Sequence, residues 1–176
     1  AHSMMQAMKC SMASVLMRQA VSTAPQGREA LRSAGPSFRD LTRVAGANPV
    51  LWADIQDLLA EADLSYLNLE GPMAWGLDRD FVEVEDPGRV FDKLVYTGYP
   101  RFNYHAYIAK DLARAGVDIV STANHHALDR GPLGVVRTVE ALRKAGVAHV
   151  GTRPQGELER LYTRTEVGGL KIAWIA

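Results

Sequence analysis

The densest run of chemically capable side chains is Ser121-Thr122-Ala123-Asn124-His125-His126-Ala127-Leu128-Asp129-Arg130-Gly131. It follows an apolar, β-branched run, Val117 to Ser121, and precedes a helical pattern. Two adjacent imidazoles, an amide and a carboxylate can ligate a metal or form a general acid/base pair. A second polar group, Asn68 and Glu70, lies just beyond another short β-like run, Leu64 to Leu67. If both runs end at one edge of a sheet, they assemble an N/O donor set suited to Mn, Fe, Zn or Mg. The same residues admit a plainer reading: Asn124 and Asp129 cap the following helix while the histidines line a polar loop.

The elements that must position these residues are legible from periodicity and glycine punctuation. Tyr104 to Ala115 reads as a helix closed by Gly116, and Gly134 to Ala145 as a helix closed by Gly146. Val117 to Ser121 and Val147 to Val150 read as the strands that follow them. Helix–glycine–strand repeated twice predicts a layered α/β sheet, mostly parallel, with sites at strand C-termini. Leu161–Val167 and Leu170–Ile175 flank Gly168-Gly169, a hairpin signal. Residues 72–101 form a Gly/Pro-rich loop, and Tyr96, Tyr99, Phe102, Tyr104 and Tyr107 form an aromatic cluster read as its anchor. Trp75 and Trp174 read as packing residues, and His105 receives no role.

Before Trp52 the texture is helical. Met5, Met8, Met12, Val15, Leu16 and Val21 mark one apolar face, and Asn48-Pro49 opens a helix to about Ala62. The fold class is therefore α/β, with a helical segment over 1–51 and an α/β part over 52–176. Twenty Lys+Arg against twenty Asp+Glu in 176 residues give a net charge of +0, which argues against a nucleic-acid footprint. One cysteine, Cys10, excludes an intramolecular disulfide framework. No apolar run reaches the ~18 residues a membrane span needs. The first four residues read as a vector remnant, and Met4 to Val21 as a helix rather than a signal segment, so the chain as it stands reads as cytoplasmic.

Four ordered motifs sharpen this picture: Asn68-Leu69-Glu70-Gly71-Pro72, Tyr96-Thr97-Gly98-Tyr99-Pro100, Ala123 to Gly131, and Ala145 to Gly151. Together they resemble the CapA family of capsule (poly-γ-glutamate) synthesis proteins, of calcineurin-like metallophosphatase fold, over about 52–176. The resemblance implies a cell-envelope role, a partial calcineurin-like sheet and a divalent-metal site with a phosphate-bearing or acidic small ligand. It carries Asn68, Glu70, Asn124, His125 and Asp129 to the metal and makes His126 the acid that protonates a leaving oxygen. His125 stands where that family has an asparagine. The family's opening Gly-Asp strand has no counterpart upstream of Trp52, and its later His-rich motif has none before Ala176. Both departures imply a fragment with impaired or no catalysis.

Residues 11–55 resemble another family. Ala34-Gly35-Pro36-Ser37-Phe38-Arg39-Asp40-Leu41-Thr42-Arg43-Val44-Ala45, with Asn48-Pro49 and Trp52, are similar to the C-terminal helical dimerisation domain of prephenate dehydrogenase. That resemblance implies a homodimer through the N-terminal helices and a substrate pocket bordered by Asp40, Arg43 and Trp52. Asp40 and Arg43 read equally as an (i, i+3) helix-surface pair. No Gly-rich nucleotide loop is present, so no NAD is expected. The two resemblances together imply a fused or recombined polypeptide, or a divergent natural protein, and a non-catalytic dimerisation module is the alternative function.

Overall fold

A computed structural model describes residue 59, residues 61–157 and residues 162–176. Cys10, Asp40, Arg43 and Trp52, with the N-terminal helices expected to form a dimer, lie outside the described residues.

The described elements run β1 (Tyr66–Asn68), α1 (Tyr107–Ala115), β2 (Ile119–Ser121), α2 (Gly131–Ala145), β3 (Ala148–Val150), β4 (Thr163–Val167) and β5 (Leu170–Trp174). β1, β2 and β3 form a parallel sheet in that order, with Leu67 opposite Val120 and Val120 opposite His149. Every residue of β2 is buried, as a central parallel strand requires. Leu69 N–H donates to Ser121 O at 2.8 Å and Thr122 N–H to Val150 O at 2.9 Å, so the ladder extends past the strand ends.

The core forms where α1 and α2 press apolar stripes against this sheet. Ile108, Ala109, Leu112 and Ala115 recur at helical spacing on α1 and meet Leu67, Leu69, Val120, Ala141 and Leu142. Gly116 and Gly146 cap the two helices as expected, each returning its N–H to the last turn. α2 begins at Gly131, three residues before the sequence pattern suggests. Its N-cap is Arg130 without a side-chain hydrogen bond, so neither Asn124 nor Asp129 caps it.

The long segment between β1 and α1 is irregular, with single bridges at Leu77–Glu83 and Thr97–Asn103. Asn103 pins it from within: its Oδ1 accepts from Ala74 N–H, and its Nδ2 donates to Ala74 O and Val95 O at 2.7 and 2.8 Å. Arg130 is fully buried and donates to Asp129 O, Val95 O and Thr97 Oγ1. These contacts satisfy most of a buried guanidinium and tie the loop beneath the start of α2. Tyr96, Phe102 and Tyr104 are buried as anchors, whereas Tyr99 is 84% exposed and does not belong to that cluster.

β4 and β5 pair antiparallel around Gly168-Gly169, both at positive φ, as the dipeptide predicts. Trp174 stacks on Tyr66 of β1 at 5.3 Å, and Thr163 Oγ1 donates to His149 O, fastening the hairpin to the sheet. The apolar run from Leu170 to Ile175 is not matched by burial: Leu170 of β5 is 48% exposed, and Ile175, just past the strand, is 81% exposed. Trp75 is partly buried against the core, with Arg137 and Lys144 over its ring.

Candidate metal centre

The parallel register carries β1 and β2 to the same edge, where their following residues diverge into loops. Glu70 leaves β1 two residues after Asn68, and Asn124-His125-His126 leave β2 three residues after Ser121. Gly71 has φ 127°, and a Cβ there would stand 2.8 Å from Phe102 Cβ, so the turn past Glu70 needs glycine. Gly151, at the end of β3, has φ 111°, and a Cβ there would meet Ala123 N at 2.7 Å. The loop bearing the histidines is thus backed by the close approach of β3.

Asn124 sets the direction of that loop. Its Nδ2 donates to Leu69 O at 2.9 Å and Asn68 Oδ1 at 3.1 Å, while its Oδ1 accepts the His126 N–H at 3.1 Å. One amide therefore ties the end of β1 to the histidine pair. His126 is 8% exposed, packed edge-on against Phe102 at 4.5 Å and beside His125 at 4.1 Å. Phe102 in turn stacks with Tyr104, whose hydroxyl donates to Glu70 O at 3.0 Å.

Asp129 Oδ2 lies 2.8 Å from His126 Nδ1 and accepts the Phe102 N–H at 2.7 Å. A carboxylate can only accept, so the contact assigns a proton to His126 Nδ1 and leaves Nε2 outside the pair. This imidazole–carboxylate arrangement is the one that orients a ligating or proton-transferring histidine.

Glu70, His125 and His126 bring one ligand atom each to within 4.8 Å of one another. Burial grades across the cluster, with His126 buried, Glu70 half-buried and His125 exposed. Of the residues expected from sequence, these three converge. Asn68 and Asn124 are hydrogen-bonded to each other beside the cluster, and Asp129 stands behind His126 rather than within it.

Phe102, Tyr104, Gly71, Gly151 and Arg130 also shape the centre, and sequence reasoning passed over them as site residues. The aromatic run 96–107 signalled a loop anchor but not that Phe102 would wall an imidazole. Arg130 lay inside the quoted motif, yet nothing in its pattern signals full burial.

Fold and cluster together define a layered α/β protein with a strand-end set of two imidazoles and a carboxylate. The sequence model of the bacterial capsule synthesis protein family PGA_cap matches residues 15–176, and the chain belongs to that family. The match begins well before position 52, and nothing in the comparisons supports a prephenate dehydrogenase-like origin for the residues ahead of it. Two proteins of Sinorhizobium fredii, the uncharacterized proteins y4sH and y4uA, are each 29% identical over 120 residues. Those alignments take in 62% of this chain and 22% of each relative, so the chain spans about a fifth of their length. Among the described residues, no helix is long and apolar enough to cross a membrane.

Proposed function

We propose that this chain contributes a divalent-metal centre to a capsule-synthesis protein of metallophosphatase type, acting at the cell envelope on a phosphate-bearing group. The observation that carries the reading is the convergence of Glu70, His125 and His126 within 4.8 Å. Two nitrogens and a carboxylate oxygen fit Mn, Fe or Zn, and suit Mg less well because it prefers oxygen ligands. A divalent cation bound there would polarise a phosphoryl oxygen and acidify a bound water.

The chain's own residues do the rest. Asn124 fixes the spacing between the Glu70 turn and the histidines, and Asp129 holds His126 with Nε2 available. Phe102 and Tyr104 cover one side of the pair and limit water around His126. His126 serves either as third ligand or as the proton donor to a leaving oxygen, since the Asp129 contact suits both. Among the described residues these three ligand atoms suffice for one cation with open positions for water or substrate.

Thermal denaturation of the full chain with added Mn²⁺ or Zn²⁺ tests the reading. Binding at a hundredfold excess over Kd stabilises by about 2.7 kcal/mol. Glu70→Gln and His125→Ala should each abolish that stabilisation. His126→Ala separates its two roles: a ligand role weakens binding at least as much as the ~10-fold loss typical of a supporting residue, and a pure acid role leaves binding intact. An unshifted melting curve at millimolar metal would remove the proposal.

A further inference from the structure

A cavity of about 470 Å³ opens beside the end of β3, one strand along the sheet edge from the histidine cluster. Its lining includes Arg143, His149, Thr152, Arg153, Glu157 and Tyr162. Among the described residues, this lining offers the Arg143 guanidinium beside the Glu157 carboxylate, with the His149 ring and the hydroxyls of Thr152 and Tyr162 adding hydrogen-bonding capacity. Arg143, from the last turn of α2, presents its planar fork to Glu157: Nη1 donates to Oε1 at 3.0 Å and Nη2 donates to Oε2. This is the bidentate geometry by which a guanidinium reads carboxylate or phosphate.

The Glu157 carboxylate is exposed, so its release to water carries little desolvation cost. Burial, and then Arg143, hold His149 below the usual imidazole range, so its ring is neutral near pH 7 and offers one donor and one acceptor. The wall is also built rather than incidental. Thr152 N–H and Oγ1 both bond Thr122 Oγ1, at 2.9 and 2.7 Å, and Gly151 lies against Ala123.

We propose that this cavity binds a small oxyanion, the carboxylate or phosphate group of a ligand, with Arg143 as its bidentate anchor. Glu157 is the internal carboxylate that the incoming anion displaces. None of Glu70, His125 and His126 lines this cavity, so the site stands or falls independently of the metal reading.

The test is a titration of the ¹⁵N-labelled full chain with inorganic phosphate and, separately, with glutarate at constant ionic strength. The Gly151 and Gly156 amides should shift saturably. Arg143→Gln should weaken binding about tenfold, while Glu157→Gln, which removes the internal competitor, should tighten it about threefold. Arg143 is exposed, so its variant should keep the wild-type spectrum elsewhere. Saturation by phosphate alone assigns a phosphate ligand, saturation by glutarate alone a carboxylate, and saturation by both a shared oxyanion site. No saturable shift with either probe, binding that Arg143→Gln leaves unchanged, or weaker binding in Glu157→Gln overturns the proposal.

Discussion

Two neighbouring places on one sheet edge carry opposite chemistry. At the ends of β1 and β2, a carboxylate and two imidazoles converge within 4.8 Å of one another, a donor set of the kind that takes a cation, with Asp129 and Asn124 behind them. At the end of β3, guanidiniums and hydroxyls line a cavity, and one exposed carboxylate already occupies the Arg143 fork. The difference lies in what the loops bring, because the three strands are alike in length and parallel in register. Parallel strands deliver chain ends to one edge, and the residues just past them choose the charge of the site.

The variant with the largest expected effect should disturb both places together. Gly151→Val puts a β-branched residue at φ 111° with its Cβ against Ala123 N. The strain should cost about 3 kcal/mol or more in urea unfolding, and both metal and phosphate binding should weaken. Loss of only one would show that the two regions are not coupled through this contact.

Asp129→Asn should separate the regions instead. The amide can still accept from Phe102 N–H, but it no longer presents a carboxylate to His126 Nδ1. Metal affinity should fall by about 10–100-fold by calorimetry, with phosphate binding unchanged.

Gly134→Ala tests the support beneath both. In an ordinary helix interior this change stabilises by roughly 0.5–1 kcal/mol. Here the new Cβ would stand 2.5 Å from Arg130 Cβ, so Arg130 must shift from its buried contacts with Val95 and Thr97. The change should destabilise by about 1 kcal/mol, a reversal of sign readable by chemical denaturation.

The smallest effect is a pH slope. Burial first, and Arg143 second, hold His149 below its usual range, and burial does the same for His105. The unfolded chain therefore takes up protons first as pH falls below about 6.5, so acidification through that value costs stability until the folded rings also titrate. Above it these groups contribute no slope. His149→Gln should flatten the slope in part, leaving the share due to His105.

Much of this was legible in advance where local chemistry and tertiary structure agree. Glycine-closed helices, the β-branched run before Ser121 and the Gly168-Gly169 turn each encode their element in a few residues. Glu70, His125 and His126 were legible as candidates because polar residues follow buried strands. The position of Asp129 behind His126 was not, since only the turn from Asn124 to Gly131 decides which carboxylate faces which ring. Arg130 was missed for a similar reason: its burial depends on Val95 and Thr97, some thirty-five residues away in sequence. Tyr99 misled in the other direction, because an aromatic among buried neighbours points to solvent. The oxyanion cavity draws Arg143 from a helix end and Arg153 from a loop, and no motif joins them.

Isothermal titration of Mn²⁺ and Zn²⁺ into the full chain, side by side with Glu70→Gln, His125→Ala and Arg143→Gln, tests the metal centre most directly. The expected result is one saturable site in the wild type, lost in the first two variants and retained in the third. Absence of binding at millimolar metal, or binding that survives both Glu70→Gln and His125→Ala, would contradict the assignment.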